Sequence, residues 1–264
     1  SSVPLQTKAT QSKTLFARLD PNHQRAVFLA TFDDDVMPIV VKACEDAKAI
    51  DLEATTLKLL GSIPGVLRCV VPESQTVTVL IGGVRSAWQG LLLQPYCTRL
   101  RPTVASKNLF AQYARTLAAA HDKGVCHNEI SLNNLLVTTT NNDQKDSEDG
   151  PAGIVADWGI ASKPGEPVRA TTVLFAPDGR LSKTDTSASQ IADFESLYYV
   201  AVCCAAREIP WARALQKDGQ AKMMQKRQKH RLPNKLDQDW GWLQSVRAAV
   251  EAKDHALTLE AFNV

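Results

Sequence analysis

Polar side chains suited to chemistry cluster between residues 127 and 134. His127, Glu129 and Asn134 bring an imidazole, a carboxylate and an amide close together in the chain, and apolar runs border them on both sides. Polar groups set among apolar segments cost free energy unless they are paired or used. A second acidic position, Asp157, ends another apolar stretch further along. The two stretches predict a functional site, which the rest of the chain must position.

Helical patterns flank this cluster and follow it. Residues 107–123 place apolar side chains at helical spacing and end at Gly124, a residue typical of helix C-termini. Residues 193–207 are hydrophobic nearly all round, as expected of a helix at the centre of a lobe. Residues 240–253 predict a last amphipathic helix. This part of the chain is therefore predicted to be mainly helical.

Strand patterns dominate the chain before residue 97. Alternating or apolar runs predict five mostly antiparallel strands, at residues 15–19, 25–32, 37–43, 66–71 and 76–81. Asp33 to Asp35 predicts a solvated hairpin tip, and residues 46–60 predict one helix. Residues 90–96 predict a further strand that leads into a linker.

Composition limits the classes of function. The 264 residues suffice for one large domain or two small ones, and 44% hydrophobic content is ordinary for a folded protein. The net charge of +2 gives no overall signal for nucleic-acid binding. The six cysteines form no Cys-x-x-Cys pair, which favours reduced thiols over disulfides or zinc. No apolar run approaches membrane-spanning length, so we expect an intracellular protein, cytoplasmic or nuclear, that binds no membrane.

Three polar segments lack a core pattern. Residues 1–13 predict a flexible tail without a signal-peptide core, and residues 138–153 predict a mobile insertion. Residues 217–235 are rich in lysine and arginine. We interpret them as a solvated helix face, with a surface for an acidic partner as the alternative.

Several motifs occur in the order that protein kinases have, and together they resemble that family. Val41-Lys42 on a predicted strand resembles the lysine of the Val-Ala-Ile-Lys motif, and Glu53 resembles its helical partner. His127-Asn128-Glu129 resembles the His-Arg-Asp triplet, and Asn134 follows the acid by five residues, as in the family.

Two later motifs extend the resemblance. Asp157-Trp158-Gly159 resembles Asp-Phe-Gly, and Ala176-Pro177-Asp178 resembles Ala-Pro-Glu. Residues 193–197 followed by Pro210-Trp211 resemble the central helix of casein-kinase-like and fungal kinase families. The resemblance covers the chain from Leu15 to its C-terminus and implies an α+β, bilobal protein kinase fold. It implies a small antiparallel, β-rich N-lobe with one helix at 14–96, a mainly helical C-lobe at 97–264, and an activation segment at 157–178.

The resemblance also implies roles for individual residues. Lys42, held by Glu53, would bind the phosphates of ATP, and Gln94, Tyr96 and Cys97 would lie along the hinge that binds adenine. Asn134 and Asp157 would hold Mg²⁺, and Glu129 would stand where a carboxylate accepts the proton of the substrate hydroxyl.

The sequence departs from the kinase pattern at several of these positions. Glu129 adds a methylene, which moves the carboxylate by about an ångström, a displacement that can cost about a hundredfold in rate. Asn128 removes the arginine that reads a phosphate on the activation segment. No glycine occurs between Leu15 and Phe32, so the glycine-rich loop over the phosphates is missing. Asp178 shortens the Ala-Pro-Glu acid, and we expect its usual arginine partner to be out of reach.

These departures divide the functional hypotheses. The first is a pseudokinase or weakly active kinase that retains residual ATP-Mg²⁺ binding and works through a protein partner. The alternative is an active serine/threonine kinase that phosphorylates protein hydroxyls, supported by retention of Lys42, Glu53, Asn134 and Asp157. A small-molecule kinase of the aminoglycoside or choline type shares the His-x-Asp layout, but Ala176-Pro177-Asp178 resembles the protein-substrate platform instead. A scaffold unrelated to kinases is the remaining interpretation.

Overall fold

The computed structural model describes residues 14–19, 25–30, 39–71, 73–81, 84–138, 151–168, 172–229 and 240–263. The predicted tail at 1–13, the hairpin tip at 33–35, most of the insertion at 138–153 and the end of the basic segment at 230–235 lie outside these residues. The chain forms two compact units, one of Ser1–Gly61 with Leu67–Tyr96 and one of Ser62–Val66 with Cys97–Val264.

The first unit contains one antiparallel sheet and one helix. Its strands are β1 (Thr14–Leu19), β2 (Arg25–Ala30), β3 (Ile39–Cys44), β4 (Arg68–Cys69), β5 (Gln75–Ile81) and β6 (Val84–Gln94). The order is β1-β2-β3-β6-β4, and β5 also pairs with β6. Helix α1 (Ala47–Leu60) begins where Asp46 Oδ1 accepts a hydrogen bond of 3.0 Å from the Lys48 amide.

Two strand predictions for this unit are wrong. The further strand predicted at 90–96 is wrong in its extent, because β6 runs from Val84 to Gln94, where it pairs with β3, β4 and β5. The fourth strand comprises only Arg68–Cys69, because residues 62–66 before it belong to the second unit. There, Gly65 O accepts a hydrogen bond of 2.7 Å from the Val155 amide, and Pro64 O accepts one of 3.0 Å from Thr116 Oγ1. Gly65 has φ +86°, and a Cβ there would collide with the Thr116 hydroxyl.

The second unit is mainly helical and carries a small sheet. Strands β7 (Cys97–Arg99), β8 (Leu135–Thr138) and β9 (Gly153–Val155) lie side by side in that order. The helices are α2 (Lys107–Asp122), α3 (Asp178–Leu181), α4 (Gln190–Ala206), α5 (Ala212–Lys229), α6 (Leu243–Glu251) and α7 (His255–Phe262). Helix α4 fills the core, as its all-round apolar sequence predicts, and Phe194, Leu197 and Val200 are fully buried.

The helix predicted at 240–253 is present as α6, but the prediction that it is the last helix is wrong, because α7 follows it. Helix α6 ends at Glu251, and Asp254 then caps α7 by accepting a hydrogen bond of 2.9 Å from the Leu257 amide. Within the described part of the chain, no helix is long and apolar enough to span a membrane.

Candidate active site

The loop that carries His127, Asn128 and Glu129 is fastened to helix α4 by one carboxylate. Asp193 accepts hydrogen bonds from the His127 amide at 2.7 Å and the Asn128 amide at 2.8 Å, and it lies 2.9 Å from His121 Nε2. Burial acts to raise the pKa of Asp193, but the hydrogen bond and charge of His121, with His127, outweigh it and hold this pKa below its usual value. The loop therefore starts from a fixed, anionic support.

Asn128 replaces the expected arginine and ties three segments together. It has φ +70°, a conformation that asparagine tolerates better than most residues. Its Nδ2 donates to Ile160 O at 3.1 Å and to Ser162 Oγ at 3.0 Å, both beyond Gly159. Its carbonyl oxygen accepts a hydrogen bond of 2.9 Å from Arg180 Nη1 on α3. The triplet lacks its arginine, but a different arginine, Arg180 of α3, reaches the same loop.

Glu129 lies half-buried after this fastened stretch, and one of its contacts defines where its carboxylate points. Glu129 Oε1 accepts a hydrogen bond of 2.8 Å from Thr172 Oγ1. Thr172 begins the turn that precedes Ala176, because its carbonyl accepts the amides of Phe175 at 2.9 Å and Ala176 at 3.0 Å. The acid in the catalytic-base position is therefore joined to the activation segment.

Asn134 and Asp157, the predicted metal ligands, lie on adjoining stretches of backbone. The Ala156 amide donates to Asn134 O at 2.9 Å, which places Asn134 next to the residue before Asp157. Asn134 Nδ2 donates to Glu129 O at 2.8 Å, so the other terminal atom of this side chain is an acceptor oxygen. Asp157 has φ +64°. An amide oxygen and a carboxylate form the donor set that Mg²⁺ prefers, so these residues fit the predicted ion.

Trp158 fixes the backbone that follows Asp157. The indole is fully buried, donates from Nε1 to Val155 O at 3.1 Å, and packs with its centroid 4.5 Å from that of His127. His127 in turn lies 3.0 Å from Ala156 O through Nε2. The two predicted loops are therefore packed directly against each other.

In the first unit, Lys42 and Glu53 form the predicted pair. Lys42 Nζ lies 2.6 Å from Glu53 Oε2, and their side chains are 14% and 3% exposed. Lys42 stands in the middle of β3, opposite Leu91 of β6, so neighbouring strands hold its backbone on both sides. A lysine held in this way can present its ammonium group to an anion without first becoming ordered.

The predicted adenine-binding residues occupy the end of β6 and the start of β7. Gln94 pairs with Arg68 across the sheet, and Cys97 pairs with Thr138 in the second unit's sheet. Gln94, Tyr96 and Cys97 are each half-buried. Burial raises the pKa of the Cys97 thiol to about 12, so this group is a neutral thiol at physiological pH.

Asp178 has an arginine partner, although we expected its usual one to be out of reach. Asp178 Oδ1 pairs with Arg227 Nη2 of α5, and Asp178 Oδ2 accepts a hydrogen bond of 3.0 Å from Gln228 Nε2. The Arg227 guanidinium also lies 3.8 Å above the ring centroid of Tyr199. Helix α5 packs beside α3, so the shorter acid still reaches its partner.

Sequence reasoning missed three of the residues that hold this site together. The segments of Thr172 and Arg180 have sequences typical of loops, and that of Arg227 is rich in basic residues. No motif identifies any of the three. A signal for Arg227 was present, because it follows the apolar Met223 by four residues and so shares its face of the helix. Thr172 and Arg180 act through contacts distant in sequence, which the pattern of α3 does not reveal.

Comparison with known proteins assigns the fold. The kinase PK-1 of Cydia pomonella granulovirus superposes with a TM-score of 0.66 over 95% of this chain and 91% of that chain, at 16% sequence identity. No family model matches the chain, and no curated protein matches it. The fold is therefore that of a protein kinase, which confirms the α+β kinase fold and the resemblance that the motifs predicted. At this level of identity, the similarity establishes the fold alone.

Proposed function

We propose that this protein is a pseudokinase or very weak kinase that retains residual ATP-Mg²⁺ binding and acts by binding a protein partner. The observation that carries the proposal is Glu129. It is one methylene longer than the aspartate of kinases, and its Oε1 is bonded to Thr172. A base displaced by about an ångström loses much of its rate advantage, because proton transfer depends on position as well as on pKa.

Retained residues support nucleotide binding within each unit. In the first unit, the ammonium group of Lys42, held 2.6 Å from Glu53, would bind phosphate oxygens. In the second, Asn134 and Asp157 would hold Mg²⁺, which neutralises phosphate charge when it is bound. Without glycine between Leu15 and Phe32, side chains hinder the close approach of backbone amides to the phosphates, so we expect weak affinity.

Thermal unfolding with and without ATP-Mg²⁺ tests nucleotide binding. A ligand that binds only the native state raises the melting temperature, and the stabilisation grows with the logarithm of the ligand concentration once this exceeds Kd. We expect a small rise at millimolar ATP, reduced in Lys42→Met and in Asp157→Ala, and preserved in the matched control Lys48→Met on the exposed start of α1. An unchanged melting temperature at millimolar ATP would contradict the nucleotide-binding part of the proposal.

Phosphotransfer is tested separately with radiolabelled ATP. We expect the wild type to label itself or a general protein substrate slowly or not at all with Mg²⁺ or Mn²⁺. Glu129→Asp should raise the rate, because it restores the shorter carboxylate. Vigorous wild-type labelling that Asp157→Ala abolishes would overturn the proposal.

That result would favour the second candidate, an active serine/threonine kinase. The specific observations in its favour are that the Lys42–Glu53 pair is formed and that Asn134 O accepts a hydrogen bond from the amide of Ala156, the residue before Asp157. In that case Glu129 would reach the substrate hydroxyl itself, and Glu129→Asp would lower the rate rather than raise it. The direction of this one change separates the two candidates.

A further inference from the structure

Helix α5 carries a row of lysines that no function discussed so far uses. Lys222, Lys226 and Lys229, here called the lysine row, are all exposed. They follow the kink at Gly219, which has φ 81°, so they share one straight helical segment. At 3.6 residues per turn, spacings of four and three residues keep them within about 60° of one another around the axis. Three positive charges therefore line one side of this segment.

The lysine row faces away from the body of the second unit. Met223 and Arg227 on the opposite side are buried, 0% and 4% exposed. That opposite side also contacts α3, since Gln220 Nε2 donates to Leu181 O at 2.8 Å and Gln228 Nε2 donates to Asp178 at 3.0 Å. The inner side of α5 holds the end of the activation segment, while the outer side presents ammonium groups to solvent.

The nearby acidic groups that the structure describes do not pair with the lysine row. Asp218 lies before the kink, and Glu251 of α6 pairs with Arg247 at 2.7 Å. Arg247 also donates to Gln228 O at 3.2 Å, so Glu251 is paired with this arginine near the end of the row. Among the residues that the structure describes, no carboxylate pairs with any of the three lysines of the row.

We propose that the lysine row is a docking surface for an acidic, extended segment of a protein partner. Lysines four residues apart are about 6 Å apart along a helix, and alternate side chains of an extended chain are about 6.6 Å apart. A segment with glutamate or aspartate at alternate positions therefore matches the row in charge and the Lys222–Lys226 pair in spacing, while Lys226 and Lys229 are about 4.5 Å apart along the axis. The inference deepens the proposed function, on which it rests, by giving the chemistry of the partner that the chain binds.

A nucleic acid fits this surface less well. The residues flanking the row on its exposed side, Ala221 and Gln225, offer no aromatic ring on which a base could stack. The row has no arginine to grip a phosphate with two hydrogen bonds, and three lysines neutralise few phosphates. The chain as a whole carries a net charge of only +2.

Fluorescence anisotropy with a short labelled peptide of alternating glutamate and serine tests the docking surface. A peptide in which glutamine replaces glutamate controls for charge. We expect the glutamate peptide to bind, to bind more weakly as salt rises, and to lose about tenfold or more in affinity in Lys222→Glu/Lys226→Glu/Lys229→Glu. The matched variant Lys48→Glu/Lys58→Glu/Lys253→Glu changes three other exposed lysines and should lose about twofold or less.

Each other outcome overturns the proposal. Absence of peptide binding does so, as does equal loss in both triple variants, which would indicate only net charge. Tighter binding of a labelled oligonucleotide that depends on the lysine row would assign the surface to nucleic acid instead. The melting temperatures of both variants confirm that they fold, and their response to ATP-Mg²⁺ is measured in parallel. Failure of peptide binding with an intact ATP response overturns the docking surface alone, and the reverse pattern overturns nucleotide binding alone.

Discussion

The loop between His127 and Asn134 is held very differently at its start and at Glu129. At its start, the buried carboxylate of Asp193 accepts two backbone amides and contacts His121, so it supports three groups at once. At Glu129, one hydroxyl, that of Thr172, meets a half-buried carboxylate. The support of the loop belongs to the core, whereas its acid is partly exposed to solvent.

This difference explains how a kinase fold can persist with an altered acid. Loss of a buried charged partner leaves other buried groups unsatisfied, which costs several kcal/mol, about 3–5 for a broken buried pair. A change at a half-exposed hydrogen bond costs about 0.5–1.5 kcal/mol. Sequence change at Glu129 is therefore tolerated by the fold, while change at Asp193 is not. Retention of the fold and retention of turnover are physically separate properties here.

The largest expected effect is at Asp193. Asp193→Ala leaves the His127 and Asn128 amides and the His121 imidazole without their acceptor, so we expect the free energy of unfolding to fall by about 3–5 kcal/mol. Urea unfolding followed by circular dichroism measures it. Asp185→Ala, which removes an exposed carboxylate bonded to Ser187, is the matched control and should cost about 1 kcal/mol or less. Similar losses of stability in Asp193→Ala and Asp185→Ala would contradict the role of Asp193 as the buried support of the loop.

Lowering the pH should remove the contribution of Asp193 to the stability of the wild type. The pKa of Asp193 is lowered from 3.8, so its contribution to stability is present above that value and is lost as the pH falls through the lower folded pKa. The stability difference between wild type and Asp193→Asn should therefore be constant at neutral pH and narrow in acid. Unfolding curves for both proteins across that range measure it. A difference that widened in acid would show that the carboxylate is not the ionised support described here.

Asp178 should show the next largest effect. The Arg227 side chain is 0% exposed, and its Nε and Nη1 have no hydrogen-bond partner among the described residues, so Asp178 supplies counter-charge to a buried cation. Because Asp178 itself is 26% exposed, we expect Asp178→Ala to cost about 2–3 kcal/mol, less than a fully buried pair. Denaturant unfolding measures the loss.

Asp178→Glu restores the acid that kinases carry at this position. If the shorter side chain is fitted to Arg227, the longer acid should lower stability rather than raise it. A gain in stability would mean that Asp178 is a weakened form of the usual contact.

Much of this fold follows from local sequence signals. Helices α1, α2 and α4 begin at Asp46, Ser106 and Ser189, whose side chains cap them, and their apolar spacing is regular. The order of the motifs predicted the kinase fold, because each polar group stands beside an apolar run that places it. Such signals act within a few residues and can be found without knowledge of the partner segments.

The features that sequence could not predict depend on contacts between distant segments. Residues 62–66 leave the first unit because Pro64 and Gly65 bond to α2 and β9, which the local strand pattern does not encode. The bond from Thr172 to Glu129 spans 43 residues, and that from Arg227 to Asp178 spans 49. Residue type and spacing predicted Asn134 and Asp157 as metal ligands. The hydrogen bond that orients the Glu129 carboxylate could be found only in the structure.

The smallest expected effect is at the acid's own contact. Thr172→Val keeps the size of the side chain and removes its hydroxyl, so we expect a loss of about 0.5–1.5 kcal/mol in the free energy of unfolding. Thr184→Val, which removes an exposed hydroxyl 2.8 Å from Ser182 Oγ, is the control and should cost about 0.5 kcal/mol or less. A loss of stability in Thr172→Val as large as that in Asp193→Ala would mean that Glu129 is held as firmly as the start of the loop. Glu129 would then be a structural residue fixed to the activation segment, and Glu129→Asp would destabilise the protein without restoring phosphotransfer.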